Sequence, residues 1–237
     1  MLQISPVVKN LIIINVIVYF TVAYLFPSYS NYFEAYYPMS SQFKPIQLVS
    51  HMFMHGNPIP HLFFNMFMLY MFGVTMEYYW GSKFFLLTYL LSGFGAIFFH
   101  YLVKFIYIYY YSNLISPDDL NMIYTQGREI LMSGKNFEGI AGKINFMVNV
   151  PAVGASGAVF GILTGFATQF PRRKLMLLFP PIPIDARYLI PGTIILELFL
   201  GLGGRDSAGG DGIAHFAHVG GALTGFLLTR FRYKFNM

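Results

Sequence analysis

The chain has 237 residues, of which 56% are hydrophobic, 19% are aromatic and only 11% are charged. A soluble domain carries about a quarter charged residues, so this composition excludes an ordinary soluble protein and indicates a polytopic membrane protein. The net charge of +5 is small and scattered, which argues against nucleic-acid binding, and the absence of cysteine excludes disulfides and thiol chemistry.

Six apolar segments each approach the roughly 20 residues that a bilayer requires, and we expect each to form a membrane span. The length allows one compact bundle, so we predict a single all-α membrane domain over residues 1–237. No small-residue cleavage site follows the first apolar run, which is therefore expected to be a retained span and not a signal peptide. The predicted spans cover about residues 8–26, 61–79, 84–108, 155–169, 188–202 and 213–229.

The stretch between the first two spans, residues 29–60, mixes aromatic residues and prolines with polar side chains. It is too polar to span a membrane and too apolar to be a free loop. We expect a segment that lies partly in the membrane interface and is braced on the rest of the protein.

A polar excursion, residues 109–150, separates the third span from the fourth. Its run Ser116-Pro117-Asp118-Asp119 predicts a helix start, with a capping serine, a first-turn proline and acids at the positive end of the dipole. Two short interfacial helices are favoured over a separate folded domain. Their apolar positions are Leu120, Ile123, Ile130 and Leu131 in the first, and Phe137, Ile140, Ala141 and Ile144 in the second.

Basic residues predict the orientation of the chain. An even number of spans puts both termini on one side, and short loops rich in Lys and Arg stay in the cytoplasm. We therefore expect cytoplasmic termini, with the starts of spans two, four and six toward the outer face. The basic residues on the predicted cytoplasmic side are Lys9, Lys83, Arg172, Arg173, Lys174, Arg187, Arg230, Arg232 and Lys234.

The fourth and sixth spans carry small residues at every fourth position. This spacing puts them on one helix face and lets a partner helix approach closely within a bilayer. Packing the two faces together brings Ser156 and His218 to the edge of the contact. The stripes are Gly157, Gly161 and Gly165 in span four, and Ala217, Gly221 and Gly225 in span six.

Ser156 and His218 are a candidate nucleophile and base. Ser156 lies in the first turn of its helix, where the backbone N–H has no intrahelical partner and the helix dipole favours an oxyanion. His218 is an ionisable residue inside an apolar span, and such residues usually face the bundle interior. Structural interpretations are also open: a packing serine in a glycine-rich helix, and a histidine that forms an interhelical hydrogen bond.

A carboxylate that could complete a triad is hard to find near His218. Asp211 precedes it by seven residues, about 10 Å along a helix. We therefore predict a Ser–His dyad whose imidazole is held by packing, with Phe160 stacked on the ring. His215 is expected nearer the outer surface, either as a group that supports His218 or as a neighbour more exposed to water.

His61 and Asn65 begin the second span four residues apart, on one helix face. Their side chains are donors near the predicted depth of Ser156, and together with the Ser156 N–H they would form an oxyanion hole. Asn65 could instead form a hydrogen bond between helices.

His51 and His55 are also four residues apart and, alongside His61, raise the question of a metal site. The glutamate of an HExxH motif is missing, and the acid of the second span, Glu77, lies near its far end. We expect no metal and no cofactor. Glu77 is interpreted as a structural partner for loop donors or as a base near the cytoplasmic end.

Four short motifs fall on spans two, four and six. They are His61-Leu62-Phe63-Phe64-Asn65, then Gly73, Glu77 and Gly81, then Gly154-Ala155-Ser156-Gly157, and finally Ala214-His215-Phe216-Ala217-His218-Val219-Gly220-Gly221. In this order they resemble the rhomboid family of intramembrane serine proteases, and the resemblance covers nearly the whole chain. Each motif is weak alone, but the four in register are specific.

This resemblance implies that Ser156 is the nucleophile and His218 the general base, with His61, Asn65 and the Ser156 amide stabilising the oxyanion. It implies a membrane-embedded first loop, and a fifth span that acts with the loop after it as a lateral gate and cap. The implied substrates are single-span membrane proteins, whose helix unwinds near a cut that follows a small residue. Supporting roles are implied for Gly154, Gly157, Phe160, Gly161, His215, Gly221 and Gly225.

The chain departs from the family pattern in three places. Many rhomboids have a Trp-Arg pair in the first loop, where this chain reads Phe43-Lys44-Pro45-Ile46-Gln47. The aromatic residue after the serine is Phe160 where some members have tyrosine. The excursion 109–150 is longer than in compact members, and we favour shielding of the outer rim over substrate docking as its role.

We therefore predict a serine endopeptidase of the cell (inner) membrane that cleaves single-span proteins near the outer face. Its expected partners are these substrates and the lipid bilayer. Two alternatives stay open: a catalytically silent rhomboid-like protein that binds membrane clients, and a small transporter, since glycine-paired helices and buried histidines occur there too.

Overall fold

The computed structural model describes residues 4–56, 59–176, 181–205 and 214–232. This part of the chain is mostly helical, and π-helical turns (Thr21–Leu25, Leu69–Gly73 and Gly201–Arg205) follow three of its helices. The α-helices are α1 (Pro6–Phe20), α2 (Ser30–Phe33), α3 (Gln47–Ser50), α4 (Pro60–Met68), α5 (Val74–Trp80), α6 (Ser82–Tyr111), α7 (Pro117–Met132), α8 (Gly139–Asn149), α9 (Ser156–Gln169), α10 (Ala186–Leu200) and α11 (His215–Arg230).

Three helical segments of the described chain are long and apolar enough to cross a membrane: Pro6–Leu25, Ser82–Leu114 and Ala186–Gly203. The other predicted spans coincide with helical segments. Helices α9 and α11 have only 14 and 16 residues, and α4 continues through the π-helical turn into α5.

Large apolar side chains cover the outside of the bundle. Phe98, Ile195 and Phe199 are each about 70% exposed (69%, 68% and 71%), and many similar residues lie on the same helices. A soluble monomer rarely exposes continuous apolar surface of this extent. Together with the long apolar helices, this surface indicates a multi-pass membrane protein.

The expectation of an all-α fold is wrong in one detail. Residues Lys174–Met176 (β1) and Pro183–Asp185 (β2) pair as a two-stranded antiparallel sheet between α9 and α10. Prolines have no N–H for helical hydrogen bonds and favour extended backbone, so the proline-rich connection does not continue as helix.

The excursion forms the two predicted short helices, α7 and α8. The Ser116 hydroxyl accepts the Asp119 N–H at 3.0 Å and caps α7 as expected. Ile123 and Ile144 are fully buried and pack in one cluster with Ile108 near the end of α6. The pair is therefore docked on α6 by its own small core.

The first loop is held by Gln47, whose side chain is fully buried. Its oxygen accepts the N–H groups of Tyr36 at 3.3 Å and Lys44 at 3.1 Å. Its amide nitrogen donates to the carbonyls of Asn31 and Gln42, both at 2.9 Å. The residue that ends the divergent segment 43–47 thus ties the loop together through four hydrogen bonds to the backbone.

The first loop is also joined to the rest of the bundle. The Tyr101 hydroxyl donates to the Tyr36 carbonyl at 2.6 Å. Ala35 and Ala152 form an antiparallel bridge, with N–H···O distances of 3.0 and 2.9 Å. This bridge connects the loop to the segment just before α9, where Ser156 lies.

Candidate active site

Glycines let α9 and α11 touch backbone to backbone. A Cβ added to Gly221 would collide with the backbone of Gly157, and one added to Gly225 would collide with the backbone of Gly161. The two small-residue stripes therefore meet, as their spacing predicts. Gly165 differs, because its closest neighbour is the ring of Trp80 in α5.

Helix α6 packs just as closely against this pair. A Cβ on Gly161 would collide with Ser92, and one on Gly95 would collide with Thr224. One on Gly220 would lie 2.6 Å from the Gly95 carbonyl oxygen. No repeating stripe marks this third helix in the sequence, because its small residues lie among large aromatic ones.

Ser156 is the first residue of α9 and is partly buried. Two residues earlier, Gly154 has φ of +121°, which favours glycine because other side chains are strained there. Its N–H donates to the His51 carbonyl at 3.0 Å. The turn that presents the serine is thus tied to the first loop.

The Ser156 Oγ lies 2.7 Å from the His218 Nε2, within hydrogen-bonding reach. His218 lies in the first turns of α11 and is only 8% exposed. The Phe160 ring stacks on the imidazole, with centroids 4.5 Å apart and planes 7° from parallel. Phe160 thus has the position expected for it.

A carboxylate on another helix approaches the imidazole from the other side. The Glu197 Oε2, on α10, lies 2.9 Å from the His218 Nδ1 and 2.7 Å from the His215 Nδ1. The expectation that packing alone holds His218 is therefore wrong. The acid considered before, Asp211, lies outside the described residues.

Of the two interpretations of His215, the solvent-exposed neighbour is wrong, since this residue is 1% exposed, whereas its contact with Glu197 agrees with a supporting group. A signal for Glu197 was present in the sequence, because it is the acid inside the apolar run 188–202. An ionisable residue within a span usually faces the bundle interior and has a partner there. Glu197 is 21 residues from His218 in sequence, and the contact joins two helices, so proximity along the chain does not indicate it.

His61 and Asn65 lie on α4, across a cavity from the serine. Asn65 is 7% exposed, and its Nδ2 donates to the His61 carbonyl at 2.9 Å. The His61 ring packs edge-on against His55, with centroids 5.2 Å apart. Both residues line the same cavity as Ser156 and His218.

This cavity has a volume of about 770 Å³ and lies between α4, α9 and α10. Its wall is mainly apolar, with residues such as Met68, Leu163 and Ile190. The polar groups of the wall include Ser156, His218, His61, Asn65 and Glu197. A mainly apolar wall with a few convergent polar groups is typical of a ligand-binding site.

The histidines of the first loop are neutral at ordinary pH. Burial lowers the pKa of His51 to about 4. Burial, and to a smaller degree the neighbouring His61, lowers the pKa of His55 to about 4. The His51 Nδ1 donates to the Gln47 carbonyl at 2.9 Å. His51 therefore has a structural role in the loop.

A different cluster has the geometry of a possible metal site in the described chain. One ligand atom from each of Glu197, His215 and His218 lies within 4.8 Å of the others. Two imidazoles and a carboxylate are a set that zinc accepts. Here one carboxylate oxygen already lies at hydrogen-bond distance from both imidazoles, so these groups have partners without a metal.

The contacts of Glu77 match its structural interpretation. Its carboxylate accepts the N–H groups of Val7 and Val8 at 3.0 and 2.9 Å, and the Ser82 hydroxyl at 2.7 Å. A carboxylate at the start of α1 satisfies N–H groups that have no intrahelical partner. Glu77 thus fastens α1 to α5.

Comparison with protein-family models gives a match to the rhomboid domain over residues 42–117 and 119–235. No curated protein matches the chain significantly. The family match covers well over half of the chain and includes every helix that lines the cavity. The chain therefore belongs to the rhomboid family.

Proposed function

We propose that this protein is an intramembrane serine endopeptidase that uses Ser156 and His218 to cleave membrane-spanning segments. The observation that carries the proposal is the 2.7 Å separation of the Ser156 Oγ and the His218 Nε2 beside a cavity in an apolar bundle. A serine that only packs between helices, or a histidine that only forms an interhelical hydrogen bond, does not require this cavity. Membership of the rhomboid family supports the same reaction.

In the proposed mechanism the Ser156 oxygen attacks the carbonyl carbon of the scissile bond, and the His218 Nε2 takes the hydroxyl proton. The resulting oxyanion is stabilised by the Ser156 N–H, at the positive end of α9, and by the side chains of His61 and Asn65. The proton then passes from Nε2 to the leaving amine nitrogen as the peptide bond breaks. Water hydrolyses the acyl-enzyme and restores the serine.

The proposed topology has six spans, with both termini in the cytoplasm of a cell whose inner membrane holds the protein. The serine then lies toward the outer face. The chain has no cysteine, so a single cysteine introduced at Lys174 or at Lys135 is the only thiol available to a membrane-impermeant reagent. We expect labelling of intact cells at position 135 and not at 174, and the opposite pattern would contradict the orientation.

The proposed substrates are single-span membrane proteins. The cavity wall is apolar, and α10, which forms one side of it, buries only Ala186 and Ile190. A helix held by so few buried residues is suited to move aside for a substrate entering from the bilayer. Near the serine, the polar groups of the site suit an unwound backbone.

The test is cleavage of a generic single-span substrate by the purified protein in liposomes, compared with Ser156→Ala and His218→Ala. We expect cleavage by the wild type and a loss of at least about 10³-fold in each variant, because removing a nucleophile or its base abolishes covalent catalysis. Equal cleavage by wild type and Ser156→Ala, or none by either across several substrates, would contradict the proposal.

The same preparations separate the alternatives. A fluorophosphonate probe should label the wild type and not Ser156→Ala, because it reacts with activated serines. A silent client-binding protein would retain the substrate without labelling or cleavage. A transporter would move a solute across the liposome membrane and would be insensitive to the probe.

A further inference from the structure

Glu197 has no role in the two-residue mechanism, yet it contacts the imidazole of that mechanism directly. Its side chain is 18% exposed, and one oxygen lies at hydrogen-bond distance from the Nδ1 atoms of both His218 and His215. His215 is 1% exposed and His218 is 8% exposed. The carboxylate is thus fixed between two buried rings.

This contact decides which nitrogen of His218 carries a proton. A carboxylate is an acceptor only, so the Nδ1 at 2.9 Å from Glu197 must be the donor. In the neutral ring the Nε2 is then the acceptor, 2.7 Å from the Ser156 hydroxyl. A base for Ser156 requires this tautomer.

The carboxylate also matters once the serine proton has moved to Nε2. The ring is then positively charged in a largely buried position, and an adjacent negative charge stabilises it. Phe160 covers one face of the ring but supplies no charge. His215 donates to the same oxygen and keeps the carboxylate in place.

We propose that Glu197 is a positioning residue that completes a Ser156–His218–Glu197 triad, holding His218 in the tautomer that accepts the serine proton. This inference rests on the proposed protease function. In each turnover the proton goes from the Ser156 oxygen to the His218 Nε2 and then to the leaving nitrogen, while Glu197 stays ionised. The triad has one residue on each of three helices: α9, α10 and α11.

The first measurement needs no Glu197 variant. The nitrogen NMR shifts of the His218 side chain, assigned by comparison with His218→Gln, report which ring nitrogen is protonated. We expect the neutral ring of the wild type to carry its proton on Nδ1 and none on Nε2. A neutral ring with its proton on Nε2 would overturn the proposal, even if every Glu197 variant failed to fold.

The second measurement compares Glu197→Gln with Asp185→Asn, the same carboxylate-to-amide change at the start of α10. Loss of the acid of a serine-protease triad costs up to about 10⁴-fold in kcat. Since the side chain of Glu197 is partly exposed and glutamine can still accept a hydrogen bond, we expect about a 10²-fold fall in kcat with KM changed by less than about 2-fold. Asp185→Asn should change kcat by less than about 2-fold.

The outcomes of these experiments are distinguishable. If Ser156→Ala abolishes cleavage but Glu197→Gln has the kcat of the wild type, the triad is wrong and the protease function stands. If Ser156→Ala cleaves like the wild type, the proposed function fails. A zinc ion bound by Glu197, His215 and His218 would replace the proton between the His218 Nδ1 and the carboxylate, and it would make wild-type cleavage sensitive to a chelator. Loss of activity in EDTA that zinc restores would therefore also overturn the proposal.

Discussion

The two helices that flank His218 are held in different ways. On one side, α9 contacts α11 through glycines whose added Cβ atoms would collide with the opposite backbone. On the other side, α10 buries only Ala186 and Ile190 and meets α11 through the carboxylate of Glu197. The distance from serine to histidine is set by a contact without adjustable side chains. The distance from histidine to glutamate depends on one flexible side chain.

The difference suggests a division of roles. Close backbone packing allows no sliding, since interiors at this density transmit small displacements directly. It therefore holds the Ser156 and His218 side chains in register. In the proposed function α10 moves aside for a substrate, and this movement would separate Glu197 from the imidazole. The proposed triad therefore requires α10 to be back against α11 when the serine attacks.

The largest effect is expected from a substitution in the close contact between α9 and α11. Gly221→Ala adds one methyl group that collides with the backbone of Gly157. We expect the free energy of unfolding to fall by about 2–3 kcal/mol or more, because the backbone cannot rotate away as a side chain can. Thermal unfolding in detergent micelles measures this loss, and activity should fall with it.

Gly192→Ala is the matched control for that change. It adds the same methyl group to α10, where no heavy atom lies within 4 Å of the new Cβ. We expect unchanged or slightly higher stability, because alanine favours a helix over glycine by up to about 1 kcal/mol. Equal destabilisation by the two substitutions would contradict the distinction between the two sides.

A smaller effect is expected at the ring that covers His218. Phe160→Ala removes a stack with a 4.5 Å centroid separation. Aromatic pairs contribute about 0.5–1.5 kcal/mol beyond their burial, so we expect kcat to fall by about 3- to 10-fold. Phe160→Tyr should lose less, since it keeps the ring. Cleavage rates at saturating substrate measure both, and no difference between Phe160→Ala and wild type would exclude a role for the stack.

The smallest effect is expected on the outer face of α10. Phe199 is 71% exposed, so Phe199→Ala should change the free energy of unfolding by less than about 0.5 kcal/mol. Ile190→Ala, on the same helix but 3% exposed, should lower it clearly more. Thermal unfolding of the pair checks this, and a large loss from Phe199→Ala would mean that a partner covers α10.

Periodicity and spacing predicted the parts of the structure that depend on local rules. The four-residue repeat of glycines predicted the contact between α9 and α11, and Ser116 predicted the cap of α7. His218 and Ser156 were paired by the same spacing argument. The strands β1 and β2 were not predicted. Each has only three residues beside a proline-rich connection, and so short a segment shows no alternation of apolar and polar side chains.

The anchoring of the first loop could not be predicted for a different reason. Gln47 makes its four hydrogen bonds to backbone groups of residues 31–44, and no pattern of side chains marks a backbone partner. The close packing of α6 was missed similarly, since Ser92 and Gly95 stand among large aromatic residues without a repeating stripe.

By itself, the sequence determined that the chain is a membrane protein of the rhomboid pattern, and which serine and histidine are its candidate reactive pair. Composition indicated the membrane protein, helical periodicity paired the serine with the histidine, and the order of the four motifs carried the resemblance to rhomboids. Composition and periodicity act within one segment at a time. Only the tertiary structure decided that Glu197 and His215 join His218, that Gln47 holds the first loop, and that α10 is the loosely packed side of the cavity. These features depend on the distance between atoms on different segments, which no local rule fixes.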